Sequence, residues 1–196
     1  MIIIGLTGGI ASGKSTVSKT LREMGLPVFD ADEASRQAVK KGSQGLKLVA
    51  EAFGAEYLDE QGELNRHKVA ELVFKDKEAR STLESIIHKM VWQEAEDFMA
   101  ANKAEKAVVL DVPLLIECGW HLRVDQVWLV AVKPETQIVR AMARSGMTRE
   151  EVVARIKAQM SLEEKVTYAD FVIDNSGELE NTLKQVKKRV KTVLGE

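Results

Sequence analysis

The chain has 196 residues, 45% of them hydrophobic and 30% charged, which is enough apolar content to bury one sizeable core. Its 28 basic and 30 acidic residues leave a formal charge of −2, which excludes the overall positive field that holds nucleic acid or an anionic membrane surface. Cys118 is the only cysteine, so an internal disulfide and a thiol-based zinc or redox pair are excluded too, and a reducing cytoplasm is the expected setting.

In chain order, Ile2 to Thr7 is an apolar, β-branched run stopped by Gly8-Gly9, the pattern of a strand buried on both faces of a parallel sheet. The opening Met1-Ile2-Ile3-Ile4 carries no basic leader, and Lys14 interrupts it well short of the ~20 apolar residues of a membrane span, so neither signal nor anchor is expected. A glycine-rich turn and a helix follow, and then a second apolar run from Leu26 to Phe29. From about Glu33 to Ala101 no strand signal is evident; Leu83, Ile86, Ile87, Met90, Val91 and Phe98 recur at helical spacing, so a helical insertion is expected there. Further strands are expected at Ala107 to Val112, Gln126 to Val132 and Phe171 to Ile173. A last helix is marked by Leu179, Leu183, Val186, Val190 and Leu194, with Lys184, Lys187, Lys188, Arg189 and Lys191 on a solvated face. The alternation predicts an α/β protein with a doubly wound parallel sheet. The expected organisation is one domain, with a core of 1–32, 102–139 and 165–196, a helical insertion of 33–101 able to carry a substrate pocket, and a helical lid of 140–164.

Gly8 to Ser15 fits G-x-x-x-x-G-K-[ST] between a predicted strand and a predicted helix, the phosphate-binding P-loop of nucleoside triphosphatases and kinases. Its glycines let backbone N–H groups turn inward around phosphate oxygens, and the following helix presents its unpaired N-terminal donors to the same anion. Gly9, Ala11, Ser12, Gly13, Lys14, Ser15 and Thr16 are therefore candidate nucleotide contacts, with Lys14 on the β/γ-phosphates and the Ser15 hydroxyl on Mg²⁺. The motif alone leaves kinase, GTPase and motor open.

Asp30-Ala31-Asp32 follows the second predicted strand, at the sheet edge where open α/β folds bind ligands. Carboxylates there either orient and deprotonate an acceptor hydroxyl, hold water on Mg²⁺, or simply cap a helix. Arg140 and Arg144 share a helix face ahead of Ser145-Gly146 and a second helix opening at Thr148; the pair is either a lid over the phosphates or a salt-bridged surface. Val108 to Asp111 reads as a strand ending in an acid that can support Mg²⁺ through water, and Pro113 then withdraws a donor from the ladder.

These landmarks together resemble those of the dephospho-coenzyme A kinases: Gly8 to Ser15, Asp30 to Asp32 with Arg36, His88, Val112 to Glu117, Arg140 and Arg144, Arg155 with Gln159, and Ala169 to Asn175, in the family's order over nearly the whole chain. The resemblance implies transfer of phosphate from MgATP to the ribose 3′-hydroxyl of dephospho-coenzyme A, the last step of coenzyme A synthesis. It implies Lys14, Asp32 and Arg140 as the catalytic set, Arg144 and Asn175 on the nucleotide, and Asp32, Arg36, His88, Pro113 and Leu114 on the acceptor. The metal falls to Ser15, with Asp32 or Asp111 through water. His88 is followed by Lys89 where the family commonly has proline, so His88 stands as either an acceptor contact or a structural residue. The expected partners are ATP and dephospho-coenzyme A, with no nucleic acid or membrane, and the chain is expected to be a monomer with at most weak self-association.

Another P-loop kinase acting on a nucleoside, nucleotide or sugar is the nearest rival. A GTP switch is disfavoured, because Asn102-Lys103-Ala104-Glu105 breaks the guanine-reading pattern and precedes its strand, and Asp59 to Gly62 follows no buried strand.

Overall fold

The structure, a computed structural model, describes residues 1–195. Five strands, β1 (Ile2–Gly8), β2 (Val28–Asp30), β3 (Ala107–Asp111), β4 (Gln126–Ala131) and β5 (Phe171–Asp174), form one sheet in the order β2-β3-β1-β4-β5. β1 runs parallel to β3 on one side and to β4 on the other, and β4 runs parallel to β5. β3 is buried along its whole length, which is why its sequence is a near-continuous apolar run rather than an alternation.

The described chain divides into two compact units, residues 1–29 with 102–195, and Asp30–Ala101. In the first, α1 (Lys14–Glu23) and α9 (Leu179–Leu194) pack on the sheet. Val17 and Leu21 of α1 and Val186 and Val190 of α9 close a core with Ile4, Leu6, Val109, Trp128, Val130 and Ile173, all at most 2% exposed. At roughly 1.5–3 kcal/mol per fully buried large aliphatic side chain, this cluster is the main stabilising feature of the unit. Arg189 leaves the expected lysine face of α9: its guanidinium lies 5.2 Å from the centre of the Phe171 ring and donates to Gln126 Oε1. Alongside the sheet are α6 (Pro134–Ser145), α7 (Arg149–Lys157) and the short α8 (Leu162–Val166).

The second unit is helical, as its sequence predicts, with α2 (Ala31–Ala38), α3 (Gln44–Phe53), α4 (Arg66–Lys75) and the 25-residue α5 (Lys77–Ala101). The first three all pack against α5, whose Val91 and Ala95 are buried. Between α3 and α4 the chain makes a small antiparallel turn, Leu58 pairing with Leu64. Asp59 organises it by accepting the N–H groups of Gln61 and Glu63, so the nominal D-x-x-G segment is a surface turn.

Candidate active site

The connections leaving β1 and β3 run to opposite sides of the sheet, and at such a divergence an open α/β fold leaves a crevice beyond the carboxyl ends of its strands. Residues 9–13 fill the carboxyl end of β1. Ala11, at φ 54°, is the only non-glycine residue with positive φ among the described residues, and Gly13, at φ 88°, caps the start of α1. Left-handed positions alternating with right-handed ones turn successive backbone N–H groups towards one centre, the geometry of an anion nest. Gly13 has no substitute, because a Cβ on it would also collide with Asn175 Nδ2. A Cβ on Gly9 would lie 2.7 Å from Gln137 Nε2.

Asn175 is the brace behind this loop. It is 6% exposed, its Nδ2 donates to Ser12 O at 2.8 Å, and its Oδ1 accepts the Thr182 hydroxyl at 2.9 Å. Both ends of its amide are thus engaged inside the protein. Its carbonyl oxygen accepts Arg140 Nη1 at 3.0 Å, and its N–H donates to Ala131 O. The residue joins β5, α9, α6 and the loop at one point. Periodicity carries no sign of this, since the partners Ser12 and Asn175 are 163 positions apart.

Lys14 Nζ is bonded to Asp111 Oδ1, at the end of β3. Asp111 is 4% exposed, so this lysine is its charge partner in a confined setting. On the same edge the buried Thr7 hydroxyl donates to Pro113 O at 2.9 Å, fixing the start of the segment that carries Leu114, which is 39% exposed. Ser15 is exposed in the first turn of α1. Among the described residues no three His, Cys, Asp or Glu side chains converge. One exposed hydroxyl and one nearby carboxylate fit Mg²⁺, which keeps several waters and takes its remaining oxygens from substrate phosphates.

Arg140 is half-buried in α6, whereas Arg144, one turn on, is exposed in the last turn. Gly146 ends α6 in the left-handed conformation, and Thr148 opens α7 with a capping box closed by Glu151. Arg149 clamps Glu135 with two 2.7 Å bonds that tie the start of α7 to the start of α6. That guanidinium holds the Glu135 carboxyl below its ordinary value. Arg155 is exposed, and Gln159 is half-buried just past α7. Composition alone also does not reveal Lys165, which is 1% exposed and has its Nζ 2.8 Å from Glu117 Oε1.

In the second unit Asp30 is the N-cap of α2, its Oδ1 accepting the Glu33 N–H at 3.0 Å. Asp32 sits beyond the cap in the first turn of α2, exposed. The two acids therefore differ: one is committed to the helix and the other is open to solvent. Arg36 is held by Glu33 through bonds of 3.1 and 2.7 Å, which lower the Glu33 pKa and raise that of Arg36. His88 is exposed on α5. A cavity of about 380 Å³ in this unit is lined by Val39, Lys40, Lys41, Glu63, Leu64 and Arg66; the sequence motifs do not single out its three cations.

Comparison with known proteins bears on the chain as a whole. The dephospho-CoA kinase family model matches residues 2–181. A dephospho-CoA kinase of Bacillus cereus is 47% identical over 192 residues, spanning 97% of this chain and 96% of its own. Among solved structures, a Thermus thermophilus protein superposes with a TM-score of 0.83 at 40% identity, covering 97% of this chain and 96% of that one. The dephospho-CoA kinase from Campylobacter jejuni superposes with a TM-score of 0.75 at 25% identity, covering 98% and 97%. With the P-loop, the buried Asp111 at the neighbouring strand end and a family match that runs through both units, the chain belongs to the dephospho-CoA kinase family.

Proposed function

We propose that the chain transfers the γ-phosphoryl group of ATP to the ribose 3′-hydroxyl of dephospho-coenzyme A, giving coenzyme A and ADP. The observation that carries the transfer chemistry is Lys14, mounted on the first turn of α1 beside the nest and bonded to Asp111. An incoming triphosphate offers that ammonium a denser negative charge than one carboxylate. Lys14 then turns to the β/γ-phosphates, while the N–H groups of residues 9–16 hold the chain of phosphates.

Arg140 is assigned to the transferring group and Arg144 to the outer phosphates, where cations oppose the charge that spreads over the equatorial oxygens. Asn175 supports the nucleotide through the loop: its bonds to Ser12 and Arg140 fix the donors that face the phosphates. Ser15, with Asp111 acting through water, would hold Mg²⁺, and the bound ion would neutralise charge on the β- and γ-phosphates. Asp32 is assigned to the 3′-hydroxyl. It orients the oxygen in line with the γ-phosphorus and takes its proton late, as the new P–O bond forms and the bond to the ADP oxygen breaks. Arg36, His88, Pro113 and Leu114 are assigned to the acceptor. The reading further takes the enzyme to be a cytoplasmic monomer.

A coupled ADP-release assay tests this reading. Dephospho-coenzyme A should be turned over far faster than nucleosides, nucleotides or sugars, and a faster nucleoside would replace the assignment with the rival kinase. Asp32→Asn should lower kcat by roughly 10²–10⁴-fold with ATP affinity little changed. Asp30→Asn should have the smaller effect on turnover, since Asp30 is already occupied as a cap. If Asp32→Asn weakens MgATP instead, Asp32 belongs to the metal's shell.

A further inference from the structure

Among the described residues, Lys165 is the one ammonium this mechanism leaves unused although the fold has removed it from water. It is 1% exposed, and a buried lysine is tolerated only with compensation. Glu117 supplies part of it: Oε1 lies 2.8 Å from Nζ without the alignment of a directed hydrogen bond, and the same oxygen accepts the Met160 N–H at 3.3 Å. An ammonium carries three donors, so one off-axis carboxylate oxygen leaves the group under-satisfied.

A second polar atom nearby is in the same position. Ser12 is 2% exposed, and its hydroxyl has no hydrogen-bond partner. Ser12 and Lys165 border one small cavity, with Gly9, Val130, Ala131, Val132, Gln137, Met160 and Leu162 around them. Its volume is about 20 Å³. A single water needs on the order of 10–15 Å³ of such space and two to four polar neighbours. An apolar filling would strand both groups at a cost, whereas a water between them would satisfy both.

We propose that Lys165 is a positioning residue for the phosphate loop, acting on the Ser12 hydroxyl through one water held in this cavity. The proposal rests on the nucleotide occupying that loop and is independent of which acceptor is used. Ser12 stands in the middle of the loop, with its carbonyl held by Asn175 and its N–H donating to Gly9 O. The water link is the remaining restraint on its side chain, and it ties the loop to α8, which carries Lys165. Glu117 anchors the lysine from the other side.

ATP binding by calorimetry on the full-length protein, with no acceptor present, separates this from the choice of substrate. Lys165→Met and Ser12→Ala should each weaken ATP by roughly tenfold, the size of one hydrogen bond at a confined site. Because both remove the same bridge, the double variant should be no weaker than either single one, and KM for the acceptor should stay put. A high-resolution crystal structure of the wild type should show one water within hydrogen-bond distance of Lys165 Nζ and Ser12 Oγ, lost in Ser12→Ala. Additive effects would overturn the proposal, as would a dry cavity. Full recovery of ATP affinity in Lys165→Met/Glu117→Gln would do the same, since it would reduce Lys165 to a counter-ion. Should Lys165→Met fail to fold, Ser12→Ala decides the matter alone: unchanged affinity with the water retained rejects the link.

Discussion

Lys14 and Asp111 are each other's partner, so truncating either has two consequences that must be separated. On the proposed role of Lys14, Lys14→Ala removes a cation from the transferring group, worth about 3 kcal/mol or more of transition-state stabilisation. It also leaves the buried Asp111 carboxylate without its ammonium, a further loss of about 1–3 kcal/mol in folding stability. Turnover in Lys14→Ala should therefore fall by a hundredfold or more, together with a lowered melting temperature, and Lys14→Ala/Asp111→Asn should regain stability but not turnover. Near-normal turnover in the single variant would remove Lys14 from the chemistry. Asn175→Ala makes a complementary prediction: it deletes the bonds to Ser12 O and Thr182 Oγ1 and should raise KM for ATP while lowering stability by about 1–3 kcal/mol. At this scale the sequence shows residues whose role is local. Gly13 and Lys14 are legible because spacing within one loop defines them. The bracing by Asn175 and the burial of Lys165 are not, because each depends on partners brought together only by the sheet order.

At the scale of elements, all five strands are legible as short apolar runs, since a strand buried on both faces must be one, but their ends are not: β2 runs Val28–Asp30 where Leu26 to Phe29 is expected, and β4 stops at Ala131 where Val132 is expected. β3 ends at Asp111, one residue short of the expected Val112, and β5 extends to Asp174. The second unit is legible as helical, but its division into four helices around α5 is not, because the single stripe of Leu83 to Phe98 does not reveal which neighbours it meets. The α6 to α7 hairpin is visible from Gly146 and Thr148, while its clamp, Glu135 to Arg149, joins positions 14 apart that no helical period connects. That clamp has a testable pH signature. The Arg149 guanidinium depresses the Glu135 pKa below its ordinary 4.5. A depressed carboxyl contributes stability above its unfolded value and loses it as pH falls through the folded one. The melting-temperature gap between wild type and Glu135→Gln should thus be constant from neutral pH down to about 5 and close below 4.5. A gap that instead closes on going alkaline would show that another group carries the effect. Hydrogen exchange through 140–159 should also slow when ATP and acceptor are added, the mark of closure over the phosphates. Unchanged exchange with binding verified would leave Arg144 a surface residue.

For the whole molecule, the division into two compact units fixes what ligand binding does to unfolding. The unit made of residues 1–29 and 102–195 contains the phosphate loop, its brace and the Lys14–Asp111 pair, whereas Asp30–Ala101 has its own buried residues around α5. The chain passes between the units at residues 29/30 and again at 101/102, so whether they unfold together or separately is a question for calorimetry. A ligand that binds only the folded protein stabilises it by about 2.7 kcal/mol at a hundredfold excess over Kd. For a chain of this length each kcal/mol is worth roughly 2–4 °C, so saturating MgATP should raise the transition by about 5–10 °C in scanning calorimetry. If the units unfold together, one transition moves as a whole. If they unfold separately, MgATP should move only the transition of the sheet-bearing unit, and dephospho-coenzyme A, whose assigned contacts include residues of both units, should move both. Lys14→Ala should shrink the MgATP shift, while Asp32→Asn should leave it intact, because Asp32 is assigned to the acceptor. A MgATP shift abolished by Asp32→Asn and preserved in Lys14→Ala would reverse both assignments at once, and it would do so without any measurement of turnover.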